Sequence, residues 1–195
     1  MQAHNAFERG TDPELNAGTD PAEKGSVPLF KKRGATAALV ICCVLTALWV
    51  AFIFSNSLKP AAESSEDSQW LLGLVQKLLP GATEHGLRKA THFGEFGVLG
   101  VLGVLTCIAA WKRRRGPLSR EIFKYVWWLP ATGVLTAVID EMLQFFTPGR
   151  SAEVLDVLLD TAGFVTGTVI AAGIAAAASA IAAARRSHKT DRSPA

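Results

Sequence analysis

Cysteine is scarce in this chain of 195 residues, with only Cys42, Cys43 and Cys107. Two are adjacent and the third stands alone, so they have no metal-ligand spacing and no cysteine zinc site is expected. Charge is missing in blocks. Residues 35–54 contain none, and residues 93–111 only Glu95. Residues 125–146 carry only Asp140 and Glu141, and residues 154–184 only Asp156 and Asp160, both at the start. Such clustering excludes an ordinary soluble core, in which apolar residues are spread along the chain. Residues 1–30 lack any apolar period and are rich in Gly, Pro, Ala, Thr and acids, which predicts a disordered tail.

What is present is apolar. Hydrophobic residues make up 49% of the chain, and the mean hydropathy is positive. A bilayer core takes about 20 apolar residues at ~1.5 Å each, and the four low-charge blocks have about that length. The reading is an all-α polytopic membrane protein: a four-helix transmembrane bundle over 35–184, between a disordered cytoplasmic tail at 1–34 and a basic cytoplasmic tail at 185–195. The first block is expected to be an uncleaved anchor and not a cleavable leader. Residues 1–34 hold Glu8, Asp12, Glu14, Asp20 and Glu23, and the apolar run exceeds the usual ~7–15 residues.

The formal charge of +3 is modest, and its distribution carries more information. Of the 20 Lys and Arg residues, Lys59, Lys77, Arg88, Lys89 and Arg150 fall on one side of the four spans and all others on the opposite side. Basic residues collect on the cytoplasmic face, so both termini are expected inside, in a multi-pass cell-membrane protein. These basic runs flank membrane ends, which favours topology anchoring over nucleic acid. The cysteines then lie toward the cytoplasmic half, where disulfides are not expected.

The long outer loop holds a further helical signal. Ser64, Ser65, Glu66 and Asp67 suit a helix start, and Trp70, Leu71, Leu74, Leu78 and Leu79 give an apolar face stopped by Pro80 and Gly81. At about 13 residues it is too short to span, and an interfacial helix is expected. Gly94, Gly97, Gly100 and Gly103, with Gly163 and Gly167, predict close helix packing. Pro130 predicts a kink early in the third span.

Polar residues recur where three of the spans meet the outer surface. Arg88, His92 and Glu95 share about 60° of one helix at ~100° per residue, and Asp140 and Gln144 lie about 40° apart on the next, with Glu141 beside them. Asp156, Asp160, Gly163 and Gly167 form a stripe on the last helix, and Pro148-Gly149-Arg150 is a tight turn. Ionisable groups in hydrocarbon cost about 2.5–3.5 kcal/mol each on insertion scales, so such a cluster marks a site. Arg88, Lys89 and Arg150 could hold a phosphate or pyrophosphate. Asp140, Glu141, Asp156 and Asp160 could hold a divalent cation, and His92, Glu95, Asp140 or Glu141 could act as acid or base. Singly, Lys89 reads as a headgroup contact, Gln144 as a helix–helix hydrogen bond and Glu153 as a solvated acid.

Four segments carry a family resemblance. Leu87-Arg88-Lys89-Ala90-Thr91-His92-Phe93-Gly94-Glu95-Phe96, Asp140-Glu141-Met142-Leu143-Gln144, Thr147-Pro148-Gly149-Arg150 and Asp156-Val157-Leu158-Leu159-Asp160-Thr161-Ala162-Gly163 follow the polar end of span one, Phe54-Ser55-Asn56-Ser57. In order and spacing they resemble the VanZ-like family over roughly 45–170. Phe96 stands where Tyr is usual, and Asp160, which adds a charge, where Asn is usual. The resemblance implies a small cell-envelope membrane protein of a family named for a link to teicoplanin resistance, without implying a mechanism. Three functions remain open at this point. The leading one is binding or handling of an anionic lipid headgroup, a phospholipid or cell-wall precursor. The second is a membrane enzyme acting on such a headgroup, for which Ser55 and Ser57 have no evident base. The last is an ion-coupled transporter, for which no polar path crosses the inner leaflet.

Overall fold

The computed structural model describes residues 29–115 and 126–191, and these are helical apart from short connections. The helices are α1 (Leu29–Ser57), α2 (Ala61–Gln76), α3 (Glu84–Arg115), α4 (Leu129–Phe145) and α5 (Val154–Asp191). No strand occurs among the described residues. The expected tail falls outside them up to residue 28, as do the connection at 116–125 and residues 192–195.

Among the described residues, three helices are long and apolar enough to cross a membrane: Arg33–Ser57, Glu84–Arg114 and Val154–Ser187. α4, with 17 residues, is shorter. At ~1.5 Å per residue it reaches about 25 Å, against a hydrocarbon core of about 30 Å. The long helices bury little within the fold. Val40, Ile41, Val44, Leu45 and Leu48 on α1 and Val169, Ile170 and Ile174 on α5 are exposed, as side chains facing lipid are.

Small residues set the central crossing. α3 packs most extensively on α5, and α1 packs next against α3. A side chain at Gly167 would run into the Gly97 carbonyl, one at Gly163 into the Phe93 carbonyl, and one at Gly100 into the Phe164 carbonyl. Two backbones therefore meet with nothing between them. Apolar burial drives little association in lipid, so this contact rests on close van der Waals approach. Ile53, Phe96, Leu99, Ala137 and Phe164 fill the centre where α1, α3, α4 and α5 converge. Phe96 is fully buried there, which suits a ring without a hydroxyl. Cys107 packs at the second core cluster beside Val104, Trp111 and Val126.

Two local expectations change. Pro130 sits in the first turn of α4, where no intrahelical N–H is required, so it starts that helix and does not kink it. α2 begins at Ala61, ahead of the Ser64-Ser65 signal, because Pro60 fixes the entry and Ala61 N donates to Pro148 O at 3.2 Å. That bond ties α2 to the α4–α5 turn. Gly149 in this turn has φ +75°, a conformation side chains rarely adopt, and lies against Ala61.

Candidate functional site

The α4–α5 turn, the end of α1 and the first turns of α3 and α5 gather the polar residues at one end of the bundle. Asp140 and Asp160 are fully buried, and Glu141 and Gln144 nearly so. Placing acids there requires local partners, and α1 and α4 supply them. Ser57 Oγ, itself fully buried, donates to Asp140 Oδ1 at 2.6 Å. Gln144 Nε2 donates to Asp140 Oδ2 at 3.1 Å and to Glu141 Oε1 at 3.2 Å. The expected helix–helix bond of Gln144 is thus a bond within α4, where positions three and four apart share a face. Glu141 Oε2 accepts the Glu153 backbone N–H at 3.1 Å, anchoring the entry to α5.

His92 approaches this pair from α3. Its Nδ1 lies 3.8 Å from Asp140 Oδ2 and 3.8 Å from Asp160 Oδ1. Neither Asp160 oxygen has a hydrogen-bond partner, although both are buried. Glu95, one turn deeper, accepts Asn56 Nδ2 at 3.1 Å, and its backbone carbonyl accepts Trp49 Nε1 at 2.9 Å. These bonds fix α1 against α3.

The cations divide into two kinds. Lys89 Nζ pairs with Asp156 at 2.8 Å and lies 3.6 Å from Glu153. It is an interhelical tie between α3 and α5. Arg88 and Arg150 behave differently: neither is in an ion pair among the described residues. Arg150 Nη2 donates to Asn56 O at 3.1 Å, while its Nε and Nη1 are buried with no hydrogen-bond partner. Burial, then the neighbouring Arg88 charge, hold the Arg150 guanidinium below its ordinary pKa.

Arg88 and His92 line both of two clefts. The larger is an open cleft lined by Asn56, Lys59, Leu71, Thr91, Glu95 and Arg150 among others. The smaller is a narrow crevice lined by Lys89, Glu141, Gln144, Asp156 and Asp160. A family model for VanZ/LLP1 matches residues 41–176, which take in every polar residue of this site. The chain belongs to the VanZ/LLP1 family. With its three long apolar helices it is a VanZ-like membrane protein. No curated protein and no solved structure matches it.

Within this VanZ-like fold the expected residues do come together: Arg88, His92, Glu95, Asp140, Glu141, Gln144, Arg150, Asp156 and Asp160 all lie at the same end. Three partners were not among the site candidates. Asn56 and Ser57 end α1, and the buried Thr147 donates to Leu143 O at 2.8 Å and Ser57 O at 3.2 Å. Their polarity at a span end was the available signal. Their contacts with Glu95 and Asp140 depend on which side of α1 meets the bundle, and α1 is apolar all round. Ser57 is buried with its hydroxyl on the Asp140 carboxylate, and exposed Ser55 donates to Phe52 O at 2.9 Å.

Proposed function

We propose that this VanZ-like protein binds an anionic envelope-lipid headgroup, from a phospholipid or a cell-wall precursor, between Arg88 and Arg150 in the outer leaflet. The observation that carries the reading is the unspent guanidinium. Two arginines line one cleft, and among the described residues neither forms an ion pair. Two buried nitrogens of Arg150 lack acceptors. Leaving a buried donor unmade costs about 1–3 kcal/mol, more for charged groups, so the arrangement calls for an acceptor. A phosphate supplies several, in the geometry of the guanidinium fork.

The membrane frame belongs to the same proposal. α4 acts as the fourth span, with exposed Trp127 and Trp128 before its start and Phe145 and Phe146 at its end as aromatic anchors. α2 lies in the outer interface. Leu71 faces the cleft, while Trp70, Leu74, Leu78 and Leu79 are exposed for lipid. The distribution of Lys and Arg puts both termini in the cytoplasm, with residues 1–34 and 185–195 flanking the membrane domain and the cleft opening outward. A headgroup would then enter beside α2 with its tails in the bilayer.

Native mass spectrometry of the detergent-purified protein tests the reading. A retained phospholipid or polyprenyl phosphate is expected on the wild type, with less on Arg88→Ala. Protein free of lipid under conditions that keep it folded would contradict it.

A further inference from the structure

From the geometry of His92, Asp140 and Asp160 we infer a metal site that ties α3, α4 and α5 together and takes one divalent ion of the zinc class. It does not rest on the headgroup reading, since neither arginine takes part.

The donor set is compact. His92 Nδ1, Asp140 Oδ2 and Asp160 Oδ1 all lie within 4.8 Å of one another, and both histidine distances are 3.8 Å. An ion about 2.0–2.2 Å from three such atoms needs them roughly 3.3–3.8 Å apart, so small side-chain shifts complete it. Chemistry points the same way. Asp140 and Asp160 are fully buried, and no Lys or Arg pairs with either among the described residues. When ionised, two such carboxylates carry two negative charges, which one divalent ion would cancel.

Asp160 is the telling member. Both oxygens are buried without a hydrogen-bond partner, although its neighbours on the cluster are held in place. Asp140 has the supporting contacts of a metal ligand: Ser57 fixes one oxygen at 2.6 Å and Gln144 orients the other at 3.1 Å. His92 also lines the larger cleft, so the cluster lies beside open space. A mixed nitrogen and oxygen set with three protein ligands suits zinc. Magnesium prefers oxygen ligands, keeps several waters and fits poorly.

The test is metal uptake by the full chain in detergent, with any affinity tag removed and the protein stripped by chelator. About one Zn²⁺ per chain should rebind, and Co²⁺ in its place should give visible absorption bands of a site with an imidazole ligand. Asp160→Asn keeps the side chain's size and strands no Lys or Arg among the described residues, so the variant should fold. Its Zn²⁺ affinity should fall at least about 100-fold, beyond the about 10–100-fold range of a supporting residue, and Ser57→Ala should fall within that range. Mg²⁺ at equal concentration should not compete. Stripped wild type that takes up no Zn²⁺ or Co²⁺ would overturn the site. So would Zn²⁺ bound equally well by Asp160→Asn and His92→Gln, which would place the metal elsewhere.

Discussion

Replacing Asp140 by Asn separates a binding site from a structural ion network. Asp140 is fully buried, and its two hydrogen bonds come from neutral donors, Ser57 and Gln144. An Asn keeps the Ser57 bond through its carbonyl. Its amide then meets the Gln144 amide donor, and turning Gln144 over restores that bond at the expense of the one to Glu141. The net loss is one hydrogen bond to a carboxylate, about 1.5–3 kcal/mol. Against it stands the removal of a buried negative charge close to Asp160, with no Lys or Arg left stranded. A structural ion pair would behave otherwise, because stripping one partner costs about 3–5 kcal/mol. The lost charge offsets the lost bond, and for a chain of this size 1 kcal/mol moves Tm by about 2–4 °C, so the two cases are separated. In chelator-containing detergent, Asp140→Asn should melt within about 3 °C of wild type or above it. A fall of more than about 6 °C would refute the argument and make the cluster a register-fixing network.

The central crossing should tolerate no side chain: Gly167→Leu must push α5 off the Gly97 carbonyl, and loss of the monodisperse folded protein on size exclusion is expected, with a normal profile contradicting it. In a background with Cys42, Cys43 and Cys107 replaced, an impermeant thiol reagent on intact cells should label Glu63→Cys and spare Arg120→Cys, and the reverse pattern would turn the cleft to the cytoplasm. Lys89→Ala should leave lipid retention near wild type while lowering Tm by a few degrees, because Lys89 is committed to Asp156; a loss of lipid with unchanged Tm would return Lys89 to the binding surface.

The helical class and the polar end of the bundle were legible because both rest on period and on charge cost. Charge-free runs mark membrane helices, and a 100° step puts Arg88, His92 and Glu95 on one face whatever the partner. Pairing was less legible, since several outcomes satisfy the same spacing. Lys89 lies one step from that face, yet its flexible stem reaches Asp156. Asp156 and Asp160 share a stripe, yet one pairs with lysine and the other turns toward His92. The role of Ser57 depends on the rotation of α1, which carries no polar stripe to fix it. The start of α2 is set by a contact from Pro148, far along the chain.

The central claim is that Arg88 and Arg150 hold one anion, and lipid retained per folded protein tests it across Arg88→Ala, Arg150→Ala, Arg150→Lys and the double alanine variant. Lys preserves charge and loses the planar fork, so Arg150→Lys should retain nearly as little lipid as Arg150→Ala. The double variant should lose less than the sum of the single effects, because both contacts serve one ligand. Full retention by Arg150→Lys would contradict the account.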